Sequence, residues 1–181
     1  MSVLFYFTYT EGDSFVKIKL MKVLLFFTIL LSGLVAGLFY AYSCSVNIGL
    51  KNLPDAGYLK AMQLINIAIQ NPLFFASFLG LPVLLIITVF KYYHAGVNTS
   101  FFLILGAAIT YIIGVLGITT LFNVPLNEML ARFNIEEASR KEVSAMRLLF
   151  EKPWNTFHTI RTIASVISFA LTILIALLQK I

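Results

Sequence analysis

A chain of 181 residues has room for one ordinary domain, but 60% of it is hydrophobic and only 12% charged, against about 45–50% and about 25% in soluble domains. With a mean hydropathy of +0.92, this excludes a disordered or nucleic-acid-binding chain, because a soluble protein so apolar would expose large greasy patches. The net charge of +5, from 13 Lys and Arg against 8 Asp and Glu, resides mostly in residues that flank or link apolar runs, where they act as headgroup anchors and topology signals. A single cysteine, Cys44, excludes an intrachain disulfide, a CxxC redox pair and a cysteine-built zinc site. It reads most simply as a small buried apolar residue.

Residues 1–20 mix Phe5, Tyr6 and Phe7 with Glu11, Asp13, Lys17 and Lys19 and carry no sustained helical period. Met21-Lys22-Val23 is a conventional opening for a membrane protein, so residues 1–20 read as a dispensable extension or a misassigned start, and residues 21–181 as one membrane domain. Crossing a bilayer takes about 20 mostly apolar residues, and four stretches qualify: residues 23–42, 72–90, 101–122 and 157–178. They predict an all-α, four-transmembrane-helix bundle. The first outruns a secretory signal core and has no convincing cleavage site before Asn47, so it stays in the mature protein. Its helical spacing places Gly33, Ala36, Gly37, Tyr40, Cys44 and Asn47 on one side, where small residues let helices approach closely or leave space for a flat ligand.

The first long connection carries Pro54-Asp55 and then Ala61, Met62, Leu64, Ile65, Ala68 and Ile69. This predicts an extra helix, entered through a proline and an acidic first turn, lying on or dipping into the interface. Between the second and third spans lie only residues 91–100, where His94 follows Tyr92 and Tyr93 as part of an interfacial aromatic belt. The third span offers Gly106, Thr110, Gly117 and Thr120 on a face comparable to that of the first. Residues 123–155 include Glu136, Glu137, Arg140, Lys141, Glu142 and Arg147, a mixed-charge helical stretch expected to face water. Lys22, Lys91 and Lys180 sit nearest the membrane on the side of both termini, which favours cytoplasmic termini; the larger Lys and Arg count of the long connections opposes it.

The fourth span holds the most informative pattern. At about 100° per residue, Trp154, His158, Arg161, Thr162, Ser165, Ser168 and Thr172 share one face and form a polar stripe. An arginine inside a spanning helix costs about 2.5–3.5 kcal/mol on insertion scales and faces protein or water rather than lipid. Gln63, Asn66, Asn71, Asn123, Asn127 and Asn155 gather at the same membrane face, as helix caps or as part of a site. Asn123, Asn127, Trp154, His158 and Arg161 converge on one depth, the usual signature of a ligand pocket. His158 with Glu128 is too small a set for a metal site, and no phosphate loop, dinucleotide fingerprint or nucleophile elbow occurs, so neither metal nor organic cofactor is expected.

Met62-Gln63-x-x-Asn66, the Asn71-Pro72 step, Asn123-Val124-Pro125-Leu126-Asn127, and Trp154 followed by His158-x-x-Arg161-Thr162 together resemble the anthrone oxygenase-like family of small four-helix membrane proteins. The resemblance runs from about Met21 to Leu178. It implies oxidation of an anthrone or a hydroquinone-like aromatic by O₂ without a cofactor, since an anthrone anion is electron-rich enough to reduce O₂ itself. In that chemistry His158 is the candidate base and Arg161 holds the oxyanion, helped by Asn123 or Asn127. Trp154 stacks on the rings, and Asn66 joins the pocket wall. The implied partners are membrane lipid and a hydrophobic aromatic small molecule. The alternative is a non-enzymatic scaffold or lipid- or quinone-binding subunit, as a homo-oligomer or beside a membrane partner, in the bacterial inner membrane.

Overall fold

The computed structural model describes the backbone of residues 2–178 and the side chains of residues 19–178; Lys180 lies outside the described residues. Among the described residues all regular structure is helical, and four helical stretches are long and apolar enough to cross a membrane: Lys19–Lys51, Pro72–Ala95, Thr99–Ala131 and Arg140–Leu178. The chain is built as a multi-pass membrane bundle. Helix α1 (Ser2–Ala41) continues through a π-helical turn (Tyr42–Val46) into α2 (Asn47–Lys51). Although the first 20 residues carry no helical period, their backbone extends α1 from Ser2; once a helix is nucleated, each further residue adds a hydrogen bond without a new nucleation cost.

The predicted interfacial helix is α3 (Asp55–Ala68), entered through Pro54 in an extended conformation with Asp55 in its first turn. Its Tyr58, Leu59 and Met62 are buried while Leu64 and Ile67 are exposed. The second span comprises α4 (Pro72–Phe78) and α5 (Gly80–Ala95). Asn71 caps α4 by accepting from the Phe74 N–H at 3.0 Å, with Pro72 following at the first helical position, so this asparagine is a cap. After a tight hairpin through Gly96, whose φ of +124° suits glycine, Asn98 caps α6 (Thr99–Tyr111) in the same way.

The third span runs on through two further π-helical segments, Ile112–Gly117 and Thr119–Asn123, into α7 (Val124–Ala131). A short turn leads to α8 (Arg140–Leu178), whose head is a capping box: the Ser139 N–H donates to Glu142 Oε2 at 2.7 Å and the Glu142 N–H donates to Ser139 Oγ at 3.4 Å. Arg140, Lys141, Glu142 and Arg147 of the mixed-charge stretch therefore belong to α8 itself, and Glu136 and Glu137 to the turn before it. The stretch does not all face water. Arg147 is largely buried, bonded to Glu151 at 2.7 Å, to Asp55 at 3.0 Å and to the carbonyls of Lys51 and Leu53, with its guanidinium over the Tyr58 ring. This staple ties the start of α3 to α8. Burial, and then the Glu151 carboxylate, hold the Tyr58 phenol above its ordinary pKa.

One apolar core joins Leu25, Val35 and Phe39 of α1 to Leu81 and Leu85 of α5, Ile104 and Tyr111 of α6, and Ile175 of α8. A second gathers Tyr58, Leu59 and Met62 with Leu130, Phe150 and Trp154. The polar stripe of α8 is buried along its length, with Ser165 donating to the Thr162 carbonyl and Ser168 to the Ala107 carbonyl of α6. Gly33 lies under the Phe169 ring, and a Cβ on Gly114 would stand 2.7 Å from the Ala164 Cβ, so these glycines permit close helix contact. Gly37 meets nothing within 4 Å.

Candidate functional site

Each π-helical turn sits beside the α8 stripe. In the first span the Asn47 N–H donates to the Tyr42 carbonyl five residues back, and in the third the Ile118 and Val124 N–H groups do the same to Ile113 and Thr119. Such i→i+5 turns insert an additional residue into a helix and turn everything after it to a new face, which is why they recur at functional sites. Here they present Tyr42, Ser43 and Thr119 to α8. Tyr40 and Cys44, expected on that face, are exposed, and Thr120 is exposed while Thr119 turns inward to Arg161.

The centre of the cluster is His158. Arg161, one turn along α8, donates through Nε at 3.3 Å and lies within 3.1 Å through Nη2 of His158 Nδ1. A guanidinium has no lone pair to offer, so Nδ1 is the acceptor and the ring proton sits on Nε2. That Nε2–H donates to Ser43 Oγ at 2.9 Å, and Ser43 Oγ lies 3.4 Å from Thr162 Oγ1. Trp154 stacks on the imidazole with centroids 5.0 Å apart and planes at 12°, while Tyr42 and Phe39 meet it edge-on. Arg161 lies 4.5 Å from the Phe39 ring centre and 5.2 Å from that of Trp154. The guanidinium is thus clamped between aromatic faces, which attract a desolvated cation.

Arg161 is only 8% exposed and has no carboxylate partner among the described residues. Of its five N–H groups, two point at His158 and a third donates to Thr119 Oγ1 at 3.3 Å. The others remain for something else. Arg161 borders a cavity of about 530 Å³, as do Trp154, His158, Asn66 and Asn127, within the volume range of small-molecule sites. Further aromatic side chains line it: Phe74 and Phe78 of α4, which stack on each other with centroids 5.0 Å apart and planes at 17°.

The candidate residues from the sequence divide by position. His158, Arg161 and Trp154 form the polar end. Asn127 lines the cavity and accepts from Trp154 Nε1 at 2.7 Å, fixing the indole. Asn66 lines it from α3, and its Nδ2 has no hydrogen-bond partner. Asn123 is fully buried outside the lining, where Nδ2 donates to the Trp154 carbonyl at 3.2 Å and so braces α8. Sequence reasoning passed over Tyr42, Ser43 and Thr119, because a fixed 100° period carries no sign of a π turn, and Phe39, which reads as one more apolar residue of the first span. Tyr42 donates to Met62 Sδ at 3.2 Å, which links the site to α3. No group of three or more His, Cys, Asp or Glu side chains able to hold a metal occurs among the described residues.

A family profile described as anthrone oxygenase matches residues 72–171, more than half of the chain. The chain belongs to the anthrone oxygenase family. The matched region contains the second and third spans and α8 as far as Leu171, and with them Asn123, Asn127, Trp154, His158 and Arg161 of this anthrone oxygenase family member. The first span, with Tyr42 and Ser43, and α3, with Asn66, lie ahead of the match. No curated protein and no solved structure matches the chain.

Proposed function

We propose that this protein oxidises a flat, acidic aromatic of the anthrone or hydroquinone type with O₂, using side chains alone. The observation that carries the reading is Arg161: a buried cation without an acidic partner among the described residues, with N–H groups to spare and bordering an aromatic-lined cavity. Keeping such a charge in a membrane interior is costly, and an anionic oxygen formed during a reaction repays that cost as an oxyanion hole does.

For an anthrone the steps balance as follows. The ligand oxygen takes the free Arg161 N–H groups and draws the guanidinium off His158 Nδ1. That nitrogen, now uncovered, removes one proton from the ring methylene, leaving an enolate whose oxygen Arg161 holds. The enolate passes one electron to O₂, the two radicals join to form a C–O bond, and His158 returns its proton to give a hydroperoxide. The remaining C–H proton leaves, the O–O bond breaks, and a second carbonyl forms with release of water. One O₂ is consumed per anthrone and one water is produced. Trp154, Phe74 and Phe78, which line the cavity, supply the aromatic contacts to the rings. The same proposal sets both termini on the cytoplasmic face of the bacterial inner membrane, with the site near the opposite face.

Oxygen uptake by the protein in lipid, with anthrone as substrate, tests this. Arg161→Gln is expected to lose about 10²–10³-fold in kcat, as removal of an oxyanion donor does, and His158→Gln to lose at least as much. Both variants should retain the wild-type helical spectrum. Unchanged turnover in both would remove the assignment; no turnover in the wild type, with anthrone still bound, would favour the binding-subunit alternative.

A further inference from the structure

The exposed side chains that border the cavity are of two kinds. Leu38 of α1, Leu64 and Ile67 of α3, and Phe75 of α4 are 40–69% exposed. Leu38 lies four residues before Tyr42, within the spanning part of the first helix, and Phe75 lies in the first turn of the second span, so these two face lipid. Lys60, Gln70 and Glu128 are exposed polar groups, with Lys60 on the same face of α3 as Leu64 and Ile67 and engaged by Glu136 at 3.5 Å. A ligand arriving from water meets these polar groups, whereas one dissolved in the bilayer meets the apolar side chains of Leu38 and Phe75 first.

We infer that the site draws its ligand laterally from the membrane, between α1, α3 and α4, and that the ligand class is a lipid-dissolved aromatic whose acidic oxygen goes in first. This rests on the functional reading above for the identity of the acidic oxygen, but not for the route. Burial grades the lining and sets the orientation. Arg161, His158 and Phe78 are buried, Phe74 is half-buried, and Leu64 and Ile67 are exposed. An apolar substituent on the far side of the ring system therefore rests at the lipid threshold. Helix α3 is the outer wall of this passage, and the Arg147 staple and the Tyr42–Met62 contact hold it in place.

Trp154, the only tryptophan in the chain, lies in the cavity wall and reports occupancy without any turnover. The full chain is reconstituted in phosphatidylcholine vesicles and titrated with 1,8-dihydroxyanthraquinone, a lipid-soluble probe whose absorption quenches indole fluorescence. Quenching should saturate and should follow the mole fraction of probe in the lipid. Doubling the lipid at fixed protein and probe then halves occupancy at low loading. The membrane-excluded anthraquinone-2-sulfonate should quench far less at equal bulk concentration. In a Cys44→Ser background that quenches as the wild type does, Ile67→Cys carrying a bulky maleimide should slow quenching by about an order of magnitude or more. The same label on Lys60→Cys should leave the rate near that of the unlabelled protein. Retardation at Lys60→Cys alone, or quenching that tracks bulk concentration, overturns the lateral route even if oxygen uptake is intact. Absence of saturable Trp154 quenching overturns the ligand class. Lipid-dependent quenching in a protein with no oxygen uptake leaves the route standing and removes the catalytic reading.

Discussion

The most constrained side chain in the cluster is His158, because both ring nitrogens are engaged and its face is covered by Trp154. Arg161 sets its tautomer, since a guanidinium can only donate to Nδ1, and Ser43 Oγ accepts the Nε2–H that results. Ser43 does not border the cavity, so its contribution is orientation. Removing the hydroxyl costs a hydrogen bond of about 1 kcal/mol, or about fivefold in rate. Ser43→Ala is therefore expected to lower kcat by that order with little change in KM, and Ser43→Thr, which keeps an oxygen, should restore it. A purely structural serine would lower thermal stability and leave kcat where it was.

At the scale of the helices, much was legible in advance. Four apolar runs gave four spans, and Pro54-Asp55 followed by apolar residues at helical spacing gave α3, because burial against lipid or core imposes a period that survives in the sequence. The polar face of α8 was legible for the same reason. The facing surfaces were not: counting at 100° per residue put Tyr40 and Cys44 against α8, whereas the turn at Tyr42–Val46 brings round Tyr42 and Ser43. An i→i+5 turn has no composition of its own, so half of the site was hidden. Arg147 was hidden differently, since its partners Asp55, Lys51 and Leu53 lie more than 90 residues away in sequence. Arg147→Met should free the start of α3, at about 1–3 kcal/mol for the largely buried Glu151 left unpaired and less for Asp55, whose side chain is 41% exposed. Amide exchange across α3 should then accelerate while that of α6 stays slow; equal protection in both would show the staple to be dispensable. Close packing offers a second check. Because a Cβ on Gly114 would meet the Ala164 Cβ at 2.7 Å, Gly114→Ala forces α8 outward and should cost about 1–3 kcal/mol, read as a lower unfolding temperature in detergent. Gly37→Ala, at a position open to 4 Å, should leave that temperature unchanged.

For the molecule as a whole, the decisive relation is between helix length and membrane thickness. The 39 residues of α8 extend about 58 Å at 1.5 Å each, against a hydrocarbon layer of about 30 Å, so the charged head of α8 stands outside the bilayer together with α7 and the outer part of α3. Four crossings put this projecting end opposite both termini and the hairpin through Gly96. Lys22 and Lys91 mark that terminal side, and basic residues close to the spans favour the cytoplasm. In a Cys44→Ser background, Glu137→Cys on the projecting end should react with a membrane-impermeant maleimide in intact cells, and Val97→Cys in the hairpin only after the membrane is opened. The reverse pattern would place the termini outside and the cavity near the cytoplasm. Labelling of both from one side would contradict four crossings. Because the cavity lies between the projecting helices and the spans, the outcome also decides which leaflet supplies the ligand: with the termini inside, Leu38, Leu64, Ile67 and Phe75 open on the outer leaflet, and probe confined to that leaflet should quench Trp154 first.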